Sequence, residues 1–200
     1  MKIVEMIVDE TNEEGGVFAI SLVNQPAIES DFVALSKEHE IKFEKVSEEK
    51  RLLVGPALIP NKTVFRKGEG EDVEDYYIYF SKDTIRQASQ LFLKRGKQGE
   101  STLEHAMKAD GVTVVESWIV EDTEKDKSAL YEMSMPEGTW MTVVKVDNDE
   151  VWQDVKDGDY KGFSIEGYFV DKTERTAQEE EVTEYDRVKA IRELIEKSGL

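Results

Sequence analysis

Apolar and polar positions alternate at strand spacing along most of this chain, and only a few stretches lengthen to helical spacing. Residues 2–9 read as a strand, followed by an acidic turn ending in Gly15-Gly16 and a second strand near Val17–Val23 that Pro26 closes. Residues 27–49 are mixed, with a charged stretch from Lys37 to Lys50. Arg51–Ile59 reads as a strand interrupted by Gly55-Pro56. Proline has no N–H for a ladder, so a bulge or sheet edge is expected there. Thr63–Arg66 is a short strand, Gly68–Asp75 an acidic loop, and Tyr76-Tyr-Ile-Tyr-Phe80 is dense in strand-favouring aromatics.

Helical spacing begins after Ser81, a good N-cap, with Ile85, Ala88 and Phe92 on one face and Gly96 as the stop. Two strands flank Ala109-Asp110-Gly111, a charged loop spans Glu121–Lys127, and Gly138–Val146 is another strand. Asn148 is placed to cap a helix over Asp149–Asp157, with Val151, Trp152 and Val155 inward and Gly158 beyond its end. The segment around Ser164 is the next strand. Residues 171–183 read as an acidic linker, and Tyr185–Lys197 as an amphipathic helix with Val188, Ile191 and Ile195 on one side. The expected organisation is N-terminal strands and a pro-segment over 1–50, a core over 51–170, and a linker with a helix over 171–200.

Charge narrows the functional classes. A net charge of -18 over 200 residues argues against a nucleic-acid partner, since phosphate backbones need Lys and Arg. The aromatic run at 76–80 therefore reads as a strand rather than a stacking platform. With no cysteine there is no disulfide framework, thiolate zinc site or catalytic thiol, which is compatible with a reducing cytoplasm. The N-terminus carries acidic residues where a signal peptide needs an unbroken apolar core, and no segment approaches the ~20 apolar residues of a membrane span. A soluble, unexported protein without a membrane partner is expected. Asp147–Glu150 and Asp157–Asp159 gather oxygens without calcium-loop spacing, so capping and a solvated turn explain them better. No metal or cofactor is expected.

Candidate chemistry is sparse, because the chain has two histidines and no cysteine. A serine hydroxyl needs a neighbouring base, and histidine is the usual one. Ser164, in Lys161-Gly-Phe-Ser-Ile-Glu-Gly-Tyr-Phe169, and His105 are the candidates. If Asp110-Gly111 is a two-residue hairpin loop, Met107 faces Val114 and His105 faces Glu116. Opposed side chains have Cβ atoms about 4.5–5.5 Å apart, close enough for an imidazole–carboxylate bond. Such a bond would fix the tautomer of His105, as the acid of a catalytic triad does. Asp110 and Glu104 are fallback acids. On the third strand Phe163, Ile165 and Phe169 share one face, and Ser164, Glu166 and Tyr168 the other. A lone histidine among apolar neighbours is more often a core residue than a catalyst, and Ser164 taken alone is an ordinary strand serine. Gly162 and Gly167 permit close backbone approach around it.

Taken in order, Thr102-Leu-Glu-His105, the Asp110-Gly111 turn, Val114–Asp122, Gly138-Thr-Trp-Met141 and Lys161–Gly167 resemble the serine proteases of tailed phages. These are prohead, or capsid-maturation, proteases related in fold to the herpesvirus assemblins. The likeness runs from about Leu52 to Val170, and Ala19–Ile28 resembles the usual start of such chains. The resemblance implies an α+β fold, a mostly antiparallel β-barrel-like domain with two or three helices. It implies Ser164 as nucleophile, His105 as base and a third residue that varies among branches, here assigned to Glu116 because the hairpin count reached it independently. Assemblins use a second histidine there, and His39 lies outside the matching region. Their oxyanion-site arginine pair is also missing, leaving backbone amides near Ser164 as candidates.

The implied function is cleavage of scaffolding protein and major capsid protein precursors inside the procapsid in the host cytoplasm. Self-processing near the N-terminus or within 171–183 is implied as well, and the oligomeric state, a homo-oligomer included, stays open. The rival is a non-enzymatic phage structural or scaffold protein that keeps the fold without the chemistry.

Overall fold

The computed structural model describes residues 2–9, 11–29, 33–35, 50–68 and 74–173. The strands are β1 (Lys2–Ile7), β2 (Gly16–Val23), β3 (Val33–Leu35), β4 (Leu52–Leu58), β5 (Val64–Arg66) and β6 (Tyr76–Phe80). They continue with β7 (Ser101–Leu103), β8 (Met107–Lys108), β9 (Val112–Ile119), β10 (Trp140–Val146), β11 (Gly162–Tyr168) and β12 (Val170–Asp171). Helix α1 (Lys82–Lys94) follows β6, and α2 (Asp149–Asp157) lies between β10 and β11. The fold is α+β. The strands form three four-stranded sheets, ordered β12-β1-β6-β5, β3-β4-β10-β9 and β11-β2-β7-β8.

Among the described residues these sheets do not close into one barrel, which corrects the barrel-like expectation. The pairing is mostly antiparallel, as expected, and two of the sheets are mixed because β1 pairs with β6 and β2 with β7 in parallel. Parallel neighbours need long crossovers, and the chain between each pair runs through other sheets. Strands β1, β2 and β3, all within residues 1–50, each join sheets whose other members come from beyond residue 50.

Local chemistry accounts for the helices. Ser81 caps α1 by accepting from the Thr84 amide, and Ile85, Ala88 and Phe92 are fully buried. Asn148 caps α2 by accepting from the amides of Glu150 and Val151, and Gly158 ends it at φ 83°. The third helix expected, Tyr185–Lys197, lies outside the described residues, as does most of the linker at 171–183. The break expected at Gly55-Pro56 is a bulge. Trp140 pairs with Leu58 and Met141 with Pro56, leaving Ala57 as the extra residue of β4.

One core joins the three sheets and both helices, centred on Ile20, Leu22, Leu53, Phe92, Trp140 and Phe163. Phe92 meets Trp140 edge to face at 5.4 Å between ring centres. Each such side chain contributes about 1.5–3 kcal/mol by leaving water. Among the described residues no helix is long and apolar enough to cross a membrane.

The hairpin expected around Asp110-Gly111 does not form. The turn of β7–β8 is Leu103–Ala106, where the Ala106 amide donates to the Leu103 carbonyl at 2.9 Å and Leu103 pairs with Met107. After β8 the chain leaves the sheet. Asp110 and Gly111 carry it to β9, which pairs with β10. Gly111 adopts φ 74°, and its carbonyl accepts the Asp147 amide at 2.7 Å. The glycine makes a crossing between sheets instead of a reversal within one.

Candidate functional site

Ser164 lies on β11, the outermost strand of its sheet. Its neighbour across the ladder is Ser21 of β2, and Ser21 pairs in turn with Thr102 of β7. Paired residues project to the same face, so Ser164, Ser21 and Thr102 form a polar row across three strands. Alternation adds Glu166, two residues beyond Ser164, while Phe163 goes to the core at 0 % exposure.

His105 reaches this face from the β7–β8 turn. Its backbone N–H donates to Ser21 Oγ at 3.0 Å, so the histidine main chain sits over the residue directly opposed to Ser164. Its Nδ1 lies 3.3 Å from Glu166 Oε1. The same carboxylate oxygen accepts a hydrogen bond from Thr102 Oγ1. The His105 side chain is 41 % exposed and that of Glu166 20 %. The imidazole is therefore open to an incoming molecule while its acidic partner is largely shielded.

The turn that presents His105 is strained. Glu104 has φ 50° and His105 φ 58°, two successive left-handed residues of the kind that glycine and asparagine supply most readily. Here neighbouring contacts enforce that geometry. The Glu104 amide donates to the Leu22 carbonyl at 3.0 Å, and Glu104 Oε1 accepts the Asn24 amide at 2.7 Å. Backbone strain of this kind gathers at functional sites because surrounding structure must over-determine it.

A family model described as "Putative phage serine protease XkdF" matches residues 40–174, well over half of the chain. The chain belongs to this family. No curated protein and no solved structure matches it. The family match contains β11, the β7–β8 turn and hence Ser164, Glu166 and His105, but leaves β2 outside.

Of the three residues expected at a protease site in this family, the structure brings Ser164 and His105 to one face of one sheet. Glu116 is elsewhere. It sits on β9 opposite Val143, in the sheet of β4 and β10, and its carboxylate binds the Lys127 ammonium. Lys127, from the turn after β9, also lies 5.1 Å from the centre of the half-buried Trp118 ring. The expected contact with His105 rested on the hairpin register, and β9 pairs with β10 instead. Sequence reasoning passed over Glu166, Thr102 and Ser21. The signal for Glu166 was present in the alternation that set it on the face of Ser164. What the sequence lacked was the strand order that carries this face to His105.

A cavity of about 200 Å³ lies along the Phe163–Ile165 stretch, walled by Ile28, Ala57, Leu58 and Phe80. The oxygen-rich segment at 147–150 is structural: Asn148 caps α2, and Asp149 pairs with Arg51 at 2.6 Å.

Proposed function

We propose that this protein is a serine endopeptidase in which Ser164 is the nucleophile, His105 the base and Glu166 the acid that orients it. The contact of His105 Nδ1 with Glu166 on the face of Ser164 carries the reading. A carboxylate at Nδ1 holds the proton there and leaves Nε2 as the basic nitrogen. Nε2 takes the Ser164 proton as Oγ attacks the scissile carbonyl, then returns it to the departing amine. Water resolves the acyl-enzyme by the same transfers. Being outermost in its sheet, β11 leaves an edge for an extended peptide. Backbone amides there are the candidate donors to the oxyanion, and the adjoining cavity would take one apolar substrate side chain.

The finer function we infer is cleavage of scaffolding protein and major capsid protein precursors during phage head maturation, as in the prohead proteases this chain resembles. Relation to the assemblin fold is part of the same reading. One observation favours the alternative of a non-enzymatic virion protein: among the described residues no hydrogen bond joins Ser164 Oγ to His105. Catalytic hydrogen bonds often tighten only once substrate is bound.

Co-expression with the cognate scaffold and capsid protein tests the proposal. Precursor cleavage should vanish in Ser164→Ala and His105→Ala and fall strongly in Glu166→Gln, while Glu116→Gln stays active. Cleavage that persists in Ser164→Ala removes the nucleophile. No cleavage by any form favours the structural alternative.

A further inference from the structure

Strand β2 lies between the strand of Ser164 and the strand leading to His105, yet it falls outside the family match. Its central polar residue, Ser21, is 0 % exposed. The hydroxyl of Ser21 accepts the His105 N–H at 3.0 Å and lies 3.3 Å from the Thr102 carbonyl, to which it donates. A buried hydroxyl bonded on both sides is no nucleophile. Its position shows another use.

Glu104 and His105 hold φ values of 50° and 58°, and each left-handed residue without glycine's freedom is disfavoured. Three contacts from β2 and its continuation oppose relaxation: Leu22 carbonyl to Glu104, Asn24 amide to Glu104, and Ser21 hydroxyl to His105. Only the last acts on His105 itself. The same stretch fixes the entry to β11, since the Val23 carbonyl accepts the Lys161 amide at 2.9 Å and Asn24 Nδ2 donates to the Asp159 carbonyl at 3.0 Å.

We propose that Ser21 is a positioning residue, holding the His105 main chain in its left-handed conformation so that Nδ1 stays on Glu166 and Nε2 is left to serve Ser164. This rests on the protease reading above and assigns it a part supplied from outside the family match. Ser21→Ala removes the acceptor for the His105 amide, and the turn can then rotate the imidazole off Glu166.

Two measurements on the full chain test it. The first is the labelling rate of Ser164 by a fluorophosphonate probe, which needs no knowledge of the natural substrate. The second is the imidazole ¹⁵N spectrum of histidine-labelled protein, which reports the tautomer, with His39→Gln separating the two histidines. Ser21→Ala should label about tenfold or more slowly, as expected for a small misplacement of a catalytic group. His105 should at the same time lose its preference for a proton on Nδ1. Ser21→Thr, which keeps the hydroxyl, should restore both. Should the alanine variant fail to fold, Ser21→Cys, nearly isosteric with a weaker acceptor, carries the same comparison. A folded Ser21→Ala with wild-type tautomer and labelling overturns the proposal. Labelling that is absent in wild type, or that survives Ser164→Ala, sinks the protease reading instead. The tautomer then decides Ser21 by itself: a change supports its positioning role, and no change overturns it.

Discussion

Replacing Gly167 with alanine should destabilise the protein, for a reason that the geometry of β11 makes quantitative. A Cβ added there would lie 2.6 Å from the Gly16 carbonyl oxygen, 2.9 Å from the Phe169 ring and 3.0 Å from Val17 Cα. Two of those three atoms are backbone of β2. The ring cannot swing clear freely, because Phe169 packs edge to face on Phe80 at 4.8 Å. Overpacking of this kind costs about 1–3 kcal/mol. The smaller unfolded-state entropy of alanine returns only about 0.4–1 kcal/mol, so the clash wins. A chain of this size loses about 2–4 °C of melting temperature per kcal/mol, which gives a fall of several degrees. Gly99 is the matched control, with no atom within 4 Å of an added Cβ and no left-handed φ. Gly99→Ala should leave stability unchanged or raise it slightly. Thermal unfolding followed by circular dichroism, run on both variants and wild type together, measures the difference. Equal melting temperatures for Gly167→Ala and wild type would refute the reasoning. The register of β11 against β2 shifts between Glu166 and Gly167, so the same variant should also disturb the Glu166 contact with His105.

Removing the cap of α2 with Asn148→Ala deletes its bonds to the amides of Glu150 and Val151, at 3.0 and 3.1 Å. The urea midpoint should fall by the equivalent of about 1 kcal/mol, and an unchanged midpoint would show that the cap contributes nothing. Glu5 offers a test by pH, because a hydrogen bond from Lys172 at 2.8 Å holds its carboxyl below the ordinary 4.5. A carboxylate depressed in the folded state stabilises above its unfolded pKa and loses that contribution as pH falls through the folded value. The melting-temperature gap between wild type and Lys172→Met should therefore be present near neutral pH and close as the pH drops below 4.5. A gap independent of pH over that range contradicts the assignment.

What the sequence conveyed divides by range of interaction. Both described helices were readable because their signals are local: Ser81 and Asn148 bond to amides two or three residues ahead, and Gly158 ends α2 just past its last turn. The bulge at Gly55-Pro56 was readable because proline's missing donor is a property of the residue itself. The β7–β8 turn was not. Asp-Gly is the commoner turn dipeptide, whereas Glu104-His105 adopts left-handed geometry only under contacts from β2, and His105 and Ser21 are 84 positions apart. Ser164 and His105 were chosen as candidates from scarcity and motif, which are also local signals. Glu166 required the order β11-β2-β7, which no local pattern encodes.

The pairing of β11 with β2 also sets when the site can exist. Ser164 finds its ladder partner near the start of the chain, and Val170 pairs with Ile7 beside it. Contacts so distant in sequence form late, because the intervening loop must close before they contribute. A nascent chain can have made β2 and β7, with the histidine turn, long before the strand bearing the serine leaves the ribosome. On the protease reading, activity then begins only when β11 docks on β2, and synthesis itself acts as a timer that keeps the enzyme silent until that strand has emerged.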